Sequence, residues 1–260
     1  MKRPGLKVET LITLDTVASI LLAWELVTRF KLVTDILLPS PGTVWTTFLQ
    51  IRAEGYKDHS LLQHLAASLG RLGAAFALVV VTAIPLGLWS GCNSKVSAVL
   101  DPLVEFVRPL PPLAYYTLLV LWLGIENGSK IALLALAGFP PVFIACVAGV
   151  RRVKGDLLLC ARTLGASRGQ LFLHVVFPAC LPDIFTGLRT ALGVTYSTLV
   201  AAEMVAAITG IGWMVLDASK FLRSDVIFVG ILLMGLTGIL LDRILRILED
   251  QMVPWRGKNR

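Results

Sequence analysis

Residues able to do chemistry are few in this sequence, and none gather in a pattern that a reaction needs. The three histidines, His59, His64 and His174, fall in loops or near the ends of apolar runs, where unperturbed surface histidines are expected. Cys92, Cys146, Cys160 and Cys180 lack the spacing of a metal site or a disulfide framework and read as small apolar core residues. A phosphate-cradling G-x-x-x-x-G-K-[ST] loop is absent, since Gly124 to Lys130 holds glycine and lysine in the wrong order. A nucleophile elbow and a His-Glu-x-x-His helix are also missing. These absences predict a chain without an ATP site, a metal site or a catalytic constellation of its own.

What remains is charge embedded in apolar sequence. Arg108 opens the run Arg108-Pro109-Leu110-Pro111-Pro112, Arg189 lies inside a long apolar stretch, and Glu203 sits near the end of the same stretch. A charge at the centre of a membrane helix costs roughly 2.5–3.5 kcal/mol on insertion scales, so each needs a purpose. Arg108 and Arg189 read either as pathway residues that attract an anionic group or as partners of Asp101, Glu105 or Asp183 that fix packing. Glu203 reads either as a gate or partner contact at an outer face or as a solvated acid at a span end. Asp15, Glu25 and Glu203 would be the proton carriers of a gradient-driven transporter.

The elements that must position these residues are membrane spans. Only 16% of the 260 residues are charged, 56% are hydrophobic, and mean hydropathy is +0.77. Soluble domains carry about 25% charge. The net charge of +7 comes from basic residues beside apolar runs, which points to a membrane and not to nucleic acid. Apolar stretches long enough for ~30 Å of hydrocarbon occur at about 11–30, 66–91, 98–123, 129–150, 183–207 and 225–248. The first contains Asp15 and Glu25 and lacks a cleavage signal, so it reads as a retained span. The prolines after Arg108 predict a break in the third, of a kind tolerated only where protein or a water-filled cavity receives the freed backbone groups.

With six spans, Lys2, Arg3 and Lys7, then Arg151, Arg152, Lys154, Arg162 and Arg168, then Arg256, Lys258 and Arg260, all fall on one side. The positive-inside rule makes that side the cytoplasm. Residues 151–182 form the least apolar interior segment and predict a short helix, a turn at Gly165-Ala166 and a second amphipathic helix ending before Pro178. Two surface helices exceed what a connection needs, and their apolar faces call for a partner.

The stretch from Leu159-Cys160-Ala161 through Gly165-Ala166-Ser167 to Val175-Val176-Phe177-Pro178 resembles the Glu-Ala-Ala loop of ABC-importer permeases. Aligning Gly165 with the loop's glycine brings Pro178 onto its proline without a gap. Leu159 stands where the family has glutamate, and Cys160 where it has alanine, so any polar contact of that glutamate is lost or replaced here. Leu38-Pro39-Ser40-Pro41, Asp101-Pro102-Leu103, Leu199-Val200-Ala201-Ala202-Glu203 and Gly210-Ile211-Gly212-Trp213-Met214 further resemble the nitrate, sulfonate and taurine permeases, closest to the taurine and sulfonate members.

The resemblance implies an all-α membrane fold of the type I importer (MetI-like) class, with about six spanning helices in one permease domain over 1–260. It also implies a homodimer in the bacterial inner membrane with both termini cytoplasmic. Residues Leu159, Cys160, Ala161, Gly165, Ala166, Ser167 and Pro178 would couple to a cytoplasmic ATPase dimer that holds ATP and Mg, while a periplasmic or lipid-anchored binding protein delivers the solute. The solute class implied is small and anionic or zwitterionic, such as taurine, an alkanesulfonate, nitrate or bicarbonate. A gradient-driven transporter is the alternative; it lacks the inverted internal repeats frequent in that class. A lipid-modifying enzyme lacks any clustered nucleophile, base or metal ligand.

Overall fold

The computed structural model describes residues 6–255 and is built from helices in the order α1 (Leu6–Arg29), α2 (Pro41–Glu54), α3 (Leu61–Cys92), α4 (Ser94–Val107), α5 (Pro112–Leu123), α6 (Asn127–Arg152), α7 (Gly155–Thr163), α8 (Arg168–Leu171), α9 (Phe177–Ala206), α10 (Ile211–Lys220) and α11 (Ser224–Met252). Among these residues no strand forms beyond one isolated Tyr56–His59 bridge. The basic residues Lys2, Arg3, Arg256, Lys258 and Arg260, and the side chain of Lys7, lie outside what is described.

Five helices are long and apolar enough to cross a membrane, or six if α4 and α5 count as one span bent by 102°. That bend falls on Arg108–Pro111, where the proline run predicts a break. Pro111 and Pro112 occupy the start of α5, where a proline loses nothing because first-turn amides have no intrahelical partner.

The interior is a three-helix stack of α3, α6 and α9. Ala75, Val79 and Ala83 of α3, Leu133, Leu134, Val142 and Cys146 of α6, and Cys180 and Ala191 of α9 are all fully buried. Small residues set the spacing. A Cβ on Gly87 would lie 2.7 Å from the Cys146 Cβ, and one on Gly187 would lie 2.5 Å from the Ala145 Cβ. Both distances are below contact, so only glycine allows these backbones to approach so closely. Gly91 also lies against α6, at Val150, so the Gly87-to-Gly91 spacing marks one packing face. Cys146 and Cys180 belong to this core, whereas Cys92 and Cys160 are exposed.

α1 and α11 form the outer surface. Half of the most apolar window of α6 is buried, against 6% for α1 and 17% for α11. Leucine and isoleucine facing outward over such lengths fit lipid, not water. α1 is held at its end by a hydrogen bond from Trp24 Nε1 to the Pro39 carbonyl (2.9 Å) and by stacking of Trp24 on Phe228. A second apolar cluster of Val44, Ile51, Tyr56, Ile211, Met214 and Val226 closes this end of the bundle beneath α2 and α10. Here Tyr56 donates to Asp217 (2.9 Å); burial and this carboxylate push its hydroxyl pKa up to about 12.

The second surface helix departs from its expected length. It does not stop before Pro178; α8 runs through a π-helical turn, Phe172–Val176, directly into α9. The wider turn bonds the Phe177 amide to the Phe172 carbonyl, five residues back instead of four. The missing amide of Pro178 therefore falls at a shift in hydrogen-bond register, where a proline is accommodated without breaking the helix.

Candidate functional site

At the α7–α8 end, the turn is built by residues the sequence singles out. Gly165 has φ +83°, a left-handed conformation that costs an L-residue with a Cβ roughly 1–2 kcal/mol. Its amide donates to the Arg162 carbonyl (2.9 Å), and that of Ala166 reaches back to Ala161 (3.1 Å). These two bonds make a Schellman closure that satisfies the last carbonyls of α7. Ser167 then starts the next helix: its amide donates to Gln170 Oε1 (2.8 Å), and its hydroxyl accepts from the Gln170 amide. Helix stop and helix start thus follow within three residues.

This ordered turn has almost nothing to pack on. α7 buries no residue, and the exposures of Leu157 (52%), Leu159 (60%) and Leu164 (88%) leave three leucines outside the core. Leu159, at the place of the family's glutamate, offers only an apolar surface. Cys160 is exposed as well, and its carbonyl accepts from Thr163 Oγ1 (2.8 Å).

The three embedded charges are not brought together. Arg189 of α9 donates to Asp242 of α11 (2.9 Å), with Glu249 at 4.0 Å and Arg246 on the other oxygen of Asp242. Its acidic partners therefore come from the last helix; Asp101 pairs with Arg151 (3.0 Å) and Asp183 with Arg152 (2.6 Å). Arg108 caps α4 and faces two grooves against α6 and α9. Among the described residues, no carboxylate lies within 4.0 Å of its guanidinium.

Glu203 is not a solvated acid. It is 1% exposed and pairs with Arg71 at 2.6 Å. Ser68 Oγ donates to the carboxylate (2.8 and 2.9 Å), and the Gly212 amide adds a further bond (3.0 Å). Arg71 also donates to the Thr209 carbonyl (2.8 Å) and to Asn127 Oδ1 (2.7 Å). Gly210, at φ +127°, passes so close that a Cβ would meet the Glu203 carboxyl at 2.4 Å. The cluster joins α3, α6, α9 and the start of α10 at the end opposite the Gly165 turn.

His64 is likewise no surface histidine: it is fully buried and stacked on Trp213 (5.7 Å). Its Nδ1 accepts from the Gly210 amide (3.1 Å), which leaves Nε2 to donate to the Tyr56 carbonyl (3.1 Å). Both nitrogens are thus committed as those of a neutral ring. Sequence reading passed over Ser68 and Arg71, although polar residues three apart on one face of an apolar helix are a usable signal.

The family model for the binding-protein-dependent transport system inner membrane component matches residues 83–254. The chain belongs to this family. The permease is 43% identical over 248 residues to the taurine transport system permease protein TauC of Escherichia coli, covering 95% of this chain and 90% of that one. It is 34% identical to the putative aliphatic sulfonates transport permease protein SsuC of Bacillus subtilis (92% and 86% covered), and 33% identical to the nitrate import permease protein NrtB of Synechocystis (78% and 74% covered). Among solved structures, the permease superposes on a chain of the inward-facing MetNI methionine ABC transporter with TM-score 0.59 and 16% identity, covering 72% of this chain and 95% of that one. It also matches an amino acid ABC transporter chain with TM-score 0.58 and 14% identity (80% and 96% covered). These last two establish the fold alone, the MetI-like importer architecture expected from the sequence; the family match and the relatives make the chain a permease subunit of an ABC importer.

Proposed function

We propose that this permease imports a small anionic or zwitterionic solute of the taurine, alkanesulfonate or nitrate kind as a homodimer driven by a separate cytoplasmic ATPase dimer. The observation that carries the assembly is the Gly165 turn, which is internally bonded at both helix ends yet leaves Leu157, Leu159 and Leu164 exposed. A rigid, apolar projection of this kind fits a groove on a soluble partner. Leu159 and Cys160 make that contact apolar, while Gly165, Ala166 and Ser167 hold its shape and the run through Pro178 passes the movement into α9. Nucleotide and Mg belong to the ATPase. A binding protein outside the membrane delivers the solute at the α10 end, and both chain termini lie in the cytoplasm with the basic loop.

The solute class rests on the relatives, which are named for taurine, aliphatic sulfonates and nitrate. The test is affinity purification of the tagged chain in mild detergent, with mass spectrometry of what accompanies it. A stoichiometric ATPase that detaches on Gly165→Val supports the reading. A stable oligomer without an ATPase, repeated in lipid nanodiscs, or an ATPase that stays bound in Gly165→Val, would overturn the proposed contact at this turn.

A further inference from the structure

Two cavities open on the face made by α4, α6 and α9, and Arg108 lines both. The larger, about 450 Å³, is walled by apolar and small residues including Pro140, Ala145 and Gly187, and Arg108 is its one charge. The smaller, about 270 Å³, continues along α4 past Glu105 and Asp101 to Arg151, with Ile144 and Ala148 on the facing wall.

The charges of the smaller cavity divide into two kinds. Asp101 and Arg151 are engaged: Asp101 accepts from Ser90 (2.8 Å), Ser97 (2.6 Å) and Arg151 (3.0 Å). Glu105 and Arg108 are not. Among the described residues neither has an opposite charge within 4.0 Å, including each other. Arg108 keeps helical dihedrals (φ −51°, ψ −46°), so the three-residue spacing turns both side chains to one face.

Both side chains are exposed on this face, beside a span-length helix. The facing wall is the middle and later half of α6, from Ala137 to Arg151, inside a helix that is 26 residues long and so about 39 Å. Two unpaired charges at that depth cannot face lipid cheaply, and an unpaired ionisable group in a span marks a water-filled solute path. A lone guanidinium would serve any anion. A guanidinium with a free carboxylate one helical turn away serves a molecule that carries both signs, and the carboxylate repels one that carries only negative charge.

We infer that Glu105 and Arg108 form a two-charge station for a small zwitterion, with its sulfonate or carboxylate on the Arg108 fork, its ammonium on Glu105 and its short carbon stem along Ile144 and Ala148. This rests on the permease reading and narrows its solute class. A planar fork suits either acid group, and a cavity of about 270 Å³ has ample room for a solute of taurine's size. Binding here must be weak, since a transported solute has to leave.

The test is saturation-transfer NMR on the intact transporter in nanodiscs without its binding protein. The probes are taurine, β-alanine and isethionate, which has the taurine skeleton with a hydroxyl in place of the ammonium. The expected result is that wild type binds taurine or β-alanine in preference to isethionate. Arg108→Gln weakens all probes about tenfold or more, the scale of one charge-assisted contact. Glu105→Gln weakens the zwitterions but leaves isethionate equal or stronger, a gain that an unfolded variant would not show. Preference for taurine over β-alanine assigns the acid group as sulfonate, and the reverse as carboxylate. Equal binding of isethionate and the zwitterions by wild type, or unchanged zwitterion binding in both variants, overturns the station. ATP-driven uptake with the binding protein, measured in parallel, separates the two readings. Intact uptake with a failed station overturns only the station, whereas no ATP-dependent uptake of any probe overturns the proposed import of this solute class.

Discussion

The Glu203 carboxylate accepts from Ser68 and Arg71 of α3 and from the Gly212 amide of α10, so its charge is compensated within the protein by two other elements. A buried ion pair of this kind gains little over an apolar pair, but losing one partner strands the other charge, at a cost of about 3–5 kcal/mol. Arg71→Met is therefore expected to lower the melting temperature of the detergent-purified chain sharply. The double variant with Glu203→Met should cost clearly less than the two single changes added together. Strict additivity in that cycle would show that the 2.6 Å pair is not an energetic unit. His64 acts in the same junction through two committed ring nitrogens. His64→Phe keeps the stack on Trp213 but strands the Gly210 amide, so a loss of about 1–3 kcal/mol is expected, read as a lower unfolding temperature. Nothing in the residue types reveals these partnerships, because Ser68 and Glu203 stand 135 positions apart.

Among the elements, the α7–α8 turn and the α6–α9 contact depend on glycine for different reasons. A Cβ at Gly165 would meet nothing within 4 Å, so the requirement is its φ of +83° and not space. Gly165→Asn, which tolerates left-handed backbone, should retain most ATPase association in a pull-down, and Gly165→Val should lose it. Equal loss by both would place the requirement in the side chain's absence at a partner surface instead of in the turn. Leu164→Asp puts a charge on the most exposed leucine of the segment (88%). It should weaken association at least as much as Gly165→Val while leaving thermal stability within about 0.5 kcal/mol of wild type, as surface changes do. At Gly187 the constraint is steric, with the Ala145 Cβ at 2.5 Å from any added carbon. The turn could be read locally, since Gly165, Ser167 and Gln170 are nearby in sequence. The continuation of α8 into α9 could not, because proline alone signals a stop and only the π-helical turn shows how Pro178 is absorbed.

For the whole molecule, burial and sidedness together predict how the four cysteines react. Cys146 and Cys180 are fully buried between α6 and α9, while Cys92 and Cys160 are exposed. A membrane-impermeant maleimide should label Cys160 in inverted vesicles stripped of the ATPase but not in intact spheroplasts, and Cys146 and Cys180 only after denaturation. Labelling of Cys160 from outside would reverse the proposed topology. The sequence by itself determined the membrane class, the family, the proline break and the glycine turn at Gly165. These depend on composition, local spacing and backbone chemistry, all of which are properties of neighbours along the chain. Tertiary structure alone decided that Arg189 pairs with Asp242 of α11, that Glu203 and His64 are interior, and that Glu105 and Arg108 stay unpaired beside the cavities. The physical reason is that an ionic partner is chosen by distance in space. Helices packed at glycine contacts bring together charges that no spacing in the sequence relates.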